Sequence, residues 1–107
     1  MTRAIRSYSV LAVAVLLVSA VCFAESPGEA TYKARCQSCH GATGTPSAGM
    51  TKMTGVKPVS DPAIRKLTAA QMFASTKNGK GKMKPFTGLS DAEIRDAVNF
   101  YRGLLTP

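Results

Sequence analysis

Cys36-Gln37-Ser38-Cys39-His40 is the stretch that decides how this chain of 107 residues is read. Two thiols stand three positions apart, and the chain's single histidine follows the second. On a helical turn, positions i and i+3 share a face, so both sulfurs and the imidazole can address one ligand. A redox dithiol would call for a βαβ context, which the sequence lacks. A structural zinc site would need four ligands, and Cys36, Cys39 and His40 are the sulfur and imidazole donors available once a leader carrying Cys22 is set aside. A plain disulfide suits an exported chain but gives His40 no purpose. The C-x-x-C-H spacing is that of covalent haem attachment. Two vinyl groups on one porphyrin edge lie within reach of two thiols one helical turn apart. The next residue, His40, then points under the ring to ligate iron, while Gln37 and Ser38 can face solvent.

Upstream, Arg3 and Arg6 precede an uninterrupted apolar run, Val10 to Val18, and Cys22-Phe23-Ala24 ends on a small residue. A basic segment, a short apolar core and a small-residue site make residues 1–24 a secretory signal peptide, with cleavage expected after Ala24. The apolar run falls short of the roughly 18–20 residues that span a bilayer, so a membrane anchor is the lesser reading. Lipidation at Cys22 is disfavoured by the bulk of Val21. Residues 25–107 then form the mature domain. Of its 83 residues, twelve are Leu, Ile, Val or Phe, about 14%. That is below the roughly 20% at which chains struggle to build a core. Domains this small commonly need a disulfide or a metal group, and here a haem would fill the centre that aliphatic side chains leave empty.

The mature segment carries twelve basic and six acidic residues, a net +6. A positive surface points to acidic partners, anionic membranes or nucleic acid. Export argues against nucleic acid, as does the absence of aromatic residues interleaved with the lysines.

Three helices are expected. The first opens at Ser26-Pro27-Gly28-Glu29, where Ser26 and Glu29 have capping-box spacing, and runs to the cysteines. Gly41 to Ser60 is dense in glycine, with Pro46 and Pro58. It reads as a long loop, followed by a short helix near Pro62 to Leu67. The middle helix starts at Thr68 with Gln71 and stops at Asn78-Gly79. Ser90 with Glu93 opens the last helix, whose Ile94, Ala97, Val98, Tyr101 and Leu105 fall on one face. No strand pattern and no internal repeat is found.

A second axial ligand cannot be histidine, since His40 has no counterpart. Met50, Met53, Met72 and Met83, a lysine, or an open face remain. Met72 sits beside Phe73 on the middle helix and reads as packing. Met83, in the loop Lys80-Gly81-Lys82-Met83-Lys84-Pro85-Phe86, is far enough along the chain to approach the other face and is the preferred candidate. Methionine opposite histidine raises the iron potential and favours electron transfer over oxygen chemistry. Lys77, Lys80, Lys82 and Lys84 bracket Met83 and would form a positive rim that steers acidic redox partners. No residue set reads as a hydrolytic or acid–base site, so the sequence is not read as an enzyme.

Across residues 26–106 the chain resembles the small bacterial class I cytochromes c. The likeness rests on Gly28 and Tyr32 ahead of Cys36, the Cys36-to-His40 motif, Gly79-Lys80-Gly81 leading into Met83, and Val98 with Tyr101 near the end. The resemblance implies an all-α cytochrome c fold, three to four helices wrapped around one covalent haem c. It also implies contact among Gly28, Tyr32, Val98 and Tyr101, where the first and last helices cross. One departure stands out: the family often has proline directly after the ligand methionine, and here Lys84 separates Met83 from Pro85. Pro46 and Pro58 are both candidates for the proline whose carbonyl orients the ligating histidine. The expected protein is a monomeric, periplasmic one-electron carrier without a membrane span after cleavage. The alternatives are an open-coordination haem protein that senses gases or acts as a weak peroxidase, and a fixed electron-transfer subunit of a larger complex.

Overall fold

The computed structural model describes residues 25–105, so the expected export signal lies outside the described residues. Six helical segments follow one another: α1 (Glu29–Arg35), α2 (Gln37–His40), α3 (Ala48–Thr54), α4 (Pro62–Arg65), α5 (Ala69–Asn78) and α6 (Asp91–Gly103). Among the described residues there is no β-strand, only an isolated bridge between Lys80 and Met83. The architecture is all-α, as expected.

Two of the three expected capping boxes form. Thr68 accepts from the Gln71 N–H at 3.1 Å while its own N–H donates to the Gln71 side chain at 2.9 Å. Ser90 and Glu93 repeat the arrangement at the start of α6. The box at Ser26 does not form. Gly28, at φ +83°, is the N-cap of α1 and makes no side-chain cap bond. Glu29 instead pairs with Lys33 at 3.0 Å, and the Ser26 carbonyl receives the Glu29 N–H at 3.1 Å.

Gly41 to Ser60 is not a continuous loop. Ser47 caps α3 by accepting from the Met50 N–H, and Gly55, at φ +72°, stops it. The signal lay in that Ser…Gly pair, masked by the glycine and proline density around it. The excursion is closed at its base, where the Val59 N–H donates to the Gly44 carbonyl at 2.8 Å and buried Val59 packs onto Gly44. The expected short helix near Pro62 is α4, capped by the Asp61 side chain on the Ala63 N–H at 2.8 Å.

Beyond the junction of α1 with α2, the helices pack together chiefly in two places. In the first, α1 crosses α6. A side chain at Gly28 would strike the Asp96 carbonyl and the Ala97 nitrogen, so only glycine lets the backbones approach this closely. Tyr32, fully buried, meets Tyr101 at 6.0 Å and Phe100 at 5.2 Å between ring centroids. In the second, α5 packs on α6 through Met72, Ile94 and Val98, with Ile64, Leu67, Phe73 and Leu89 around them. This core is thin, in keeping with the small count of aliphatic residues.

Candidate haem site

The C-x-x-C-H segment is shaped by two linked turns. Cys36 ends α1, where its N–H donates to the Tyr32 carbonyl at 2.9 Å, and begins α2. Its carbonyl then receives the Cys39 N–H at 3.2 Å and the His40 N–H at 3.0 Å. Cys36, Cys39 and His40 thus sit on one tight turn. The Tyr32 hydroxyl, donating to the Gly41 carbonyl at 2.6 Å, fastens the end of that turn to α1. Burial raises the Tyr32 phenol above its ordinary pKa, with smaller contributions from Tyr101 and Cys36, so the hydroxyl keeps the proton it donates.

All three residues line a cavity of about 490 Å³, within the roughly 300–1,000 Å³ range typical of cofactor sites. Its walls come from separate parts of the chain. Thr54 ends α3, and Val56 and Lys57 follow it; Ile64 and Leu67 come from α4 and its exit; Met72 and Thr76 from α5; Lys80 to Met83 from the following loop; and Ala97, Val98 and Tyr101 from α6. The walls are mainly apolar, and no Asp or Glu is among the lining residues.

His40 faces Tyr101 edge-on, with centroids 5.3 Å apart. Burial pushes its imidazole pKa down, which keeps it neutral at pH 7, the form that ligates metals. Its Nδ1 is buried without a hydrogen-bond partner. The Pro58 carbonyl accepts the Asp61 N–H at 3.0 Å. The two cysteines are not joined to each other, and burial raises the Cys36 thiol pKa against a smaller lowering by Arg35. Among the described residues no group of three or more His, Cys, Asp or Glu is arranged to hold a lone ion.

Of the four candidate methionines, Met72 and Met83 line the cavity; Met50 and Met53 do not. Met72 is a core residue of the α5–α6 contact. Met83 is half-buried in a loop drawn into a tight turn, where Lys80 N–H donates to the Met83 carbonyl at 2.9 Å and Met83 N–H to the Lys80 carbonyl at 3.0 Å. Gly81, at φ +59°, permits that turn.

A family model described as "Cytochrome C oxidase, cbb3-type, subunit III" matches residues 24–100. The chain belongs to this cytochrome c family. As a member, this cytochrome binds haem c covalently and works by haem-based electron transfer, the general business of a family of carriers rather than enzymes. It is similar to a solved structure, the "KustC0563 c-type cytochrome", with a TM-score of 0.64 and 25% sequence identity over 72% of this chain and 95% of that one. A search of curated proteins gives no match. The residues present fit the group. Two unpaired thiols one turn apart and a neutral imidazole with an unpartnered Nδ1 converge on an apolar cavity of suitable size.

Several site residues were not visible in the sequence. Thr54, Lys57 and Thr76 carry no motif, and their place on the wall follows from the folding of α3 and α5 around the cavity. The Tyr32 hydroxyl was equally silent, since its acceptor is a backbone carbonyl nine residues away. Of the four lysines expected on the rim, Lys80 and Lys82 line the cavity and Lys84 is exposed beside them. Lys77 is drawn off by Asp91, to which it donates at 2.9 Å.

Proposed function

We propose that the mature chain is an exported, monomeric one-electron carrier. In this reading Cys36 and Cys39 hold the haem through thioethers, and His40 and Met83 are the axial ligands. Bound there, the haem supplies an iron that gains and loses one electron at a time. The observation that carries the reading is the convergence of Cys36, Cys39, His40 and Met83 on one apolar cavity, although they are spread over 48 positions from the first to the last. The Tyr32 bond to Gly41 and the Tyr101 edge hold the His40 turn in place. Apolar side chains from α4, α5 and α6 exclude water, which restrains the change in solvation that accompanies a change in charge. Around the opening, Lys57, Lys80 and Lys82 present positive charge unopposed by any acidic lining residue, which suits a redox partner with an acidic docking face. Among the described residues no helix is long and apolar enough to cross a membrane.

The test is the absorption spectrum of the oxidised holoprotein beside that of Met83→Ala. The wild type is expected to show the weak long-wavelength band of methionine-to-iron charge transfer. The variant is expected to lose it, to bind carbon monoxide when reduced, and to show a lower potential. A band that survives in Met83→Ala would remove Met83 from the iron. The family description favours a second reading, a fixed electron-transfer subunit of a larger oxidoreductase. Gel filtration of periplasm separates the two: a free carrier elutes at the size of the domain.

A further inference from the structure

One side-chain hydrogen bond joins the Met83 loop to the end of α3, on the other side of the cavity. The Lys82 Nζ donates to the Met53 carbonyl at 2.8 Å, across 29 positions of sequence. Met53 lies in the last turn of α3, where backbone carbonyls have no partner within the helix and a cation is favourable. Both ends of the contact lead directly into the cavity. Thr54, Gly55 and Val56 line it from one side and Lys80 to Met83 from the other. The other bonds of the loop do different work. The Lys80–Met83 pair lies within the loop and stiffens it, while the Phe86 N–H fastens its exit to the Thr76 carbonyl at 3.1 Å.

We infer that Lys82 is a positioning residue, an ammonium clasp that fastens the Met83 loop to the end of α3 and holds the cavity shut on the Met83 side. The inference rests on the reading of Met83 as an axial ligand. The clasp adjoins the residue whose departure would open the iron to external ligands, so it sets how often that departure occurs. Because the acceptor is a carbonyl and not a carboxylate, the clasp closes the loop while leaving the positive charge of Lys82 uncompensated.

The experiment follows imidazole binding to the oxidised holoprotein by stopped flow, at concentrations where the rate no longer rises and loop opening is limiting. Imidazole is neutral near pH 8, so loss of one surface charge does not itself change its approach. An exposed hydrogen bond from a charged donor contributes modestly, and its loss in Lys82→Met should speed the limiting rate about three- to tenfold. Lys82→Arg, which keeps a charged donor, should stay within about twofold of wild type. Lys52→Met, a charge-matched change on the exposed side of α3, should not accelerate it. Amide exchange of Lys80 and Met83 in the holoprotein gives an independent readout, with protection lost in Lys82→Met and kept in Lys82→Arg. Equal rates and equal protection in Lys82→Met and Lys52→Met would overturn the clasp. If Lys82→Met does not accumulate as holoprotein, accumulation of Lys82→Arg supports the clasp and its failure overturns it. A wild type without the charge-transfer band would instead defeat the ligation reading, and amide protection would still decide the clasp.

Discussion

The crossing of α1 with α6 and the loop from Gly79 to Leu89 supply the two kinds of wall around the same cavity, and they are built in opposite ways. At the crossing, backbone touches backbone at Gly28, and Tyr32 and Ala97 are buried. Along the loop no residue is fully buried, Gly79, Met83, Phe86 and Leu89 being half-buried, and shape is held by a few hydrogen bonds. The first wall resists motion because any displacement opens a void or a clash. The second can swing by breaking a handful of bonds, each a modest contribution. On the proposed ligation this division would give one fixed and one detachable ligand: His40 belongs to the rigid side, Met83 to the hinged one.

Glycines break the comparison most directly, because Gly28 and Gly81 both sit at positive φ but in opposite surroundings. Gly28→Ala would drive a methyl group into the Asp96 carbonyl and force a left-handed residue as well. We expect a loss of about 3–5 kcal/mol, read as a large drop in the thermal midpoint of the holoprotein or failure to accumulate. Gly81→Ala meets open space, with nothing within 4 Å of the added carbon. Only the backbone cost of about 1–2 kcal/mol remains. Because it falls on the loop, imidazole binding should change more than global unfolding does. Equal drops in midpoint for the two variants would show that the crossing is no stiffer than the loop.

The smallest effect concerns the contact of α5 with α6. The Lys77 hydrogen bond lowers the Asp91 carboxyl below its usual range, against an opposing effect of desolvation and with further lowering by the charges of Lys77 and Arg95. A carboxylate with a lowered folded pKa stabilises the fold above its unfolded value, and that contribution is lost as pH falls through the folded value. Holoprotein stability should therefore show a slight acid-side decline that Asp91→Asn flattens, while the pH dependence of imidazole binding stays unaltered. Both groups are about half exposed, so thermal midpoints at closely spaced pH values are needed to detect it, and 0.5 M salt should shrink it.

Much of this was legible in residue order because it is local. Thr68 with Gln71 and Ser90 with Glu93 announce helix starts since each pair bonds within one turn. The Cys36-to-His40 spacing announces its turn for the same reason. Ser26 with Glu29 has the same spacing and misleads, because the demand for close backbone approach at Gly28 outweighs a surface cap. Helix α3 escaped notice because Gly49 and its neighbours depress local propensity, and the segment gains its shape from closure at Gly44 and Val59.

By itself the sequence determined the attachment turn, the two capped helices and the need for a non-peptide centre, all of which depend on neighbours within a few residues or on composition. Tertiary structure alone decided which methionines reach the cavity, which lysines border it and what the Tyr32 hydroxyl and Lys82 ammonium hold. Those contacts join segments 9 to 29 or more positions apart, and no local rule constrains such distances until the helices have packed.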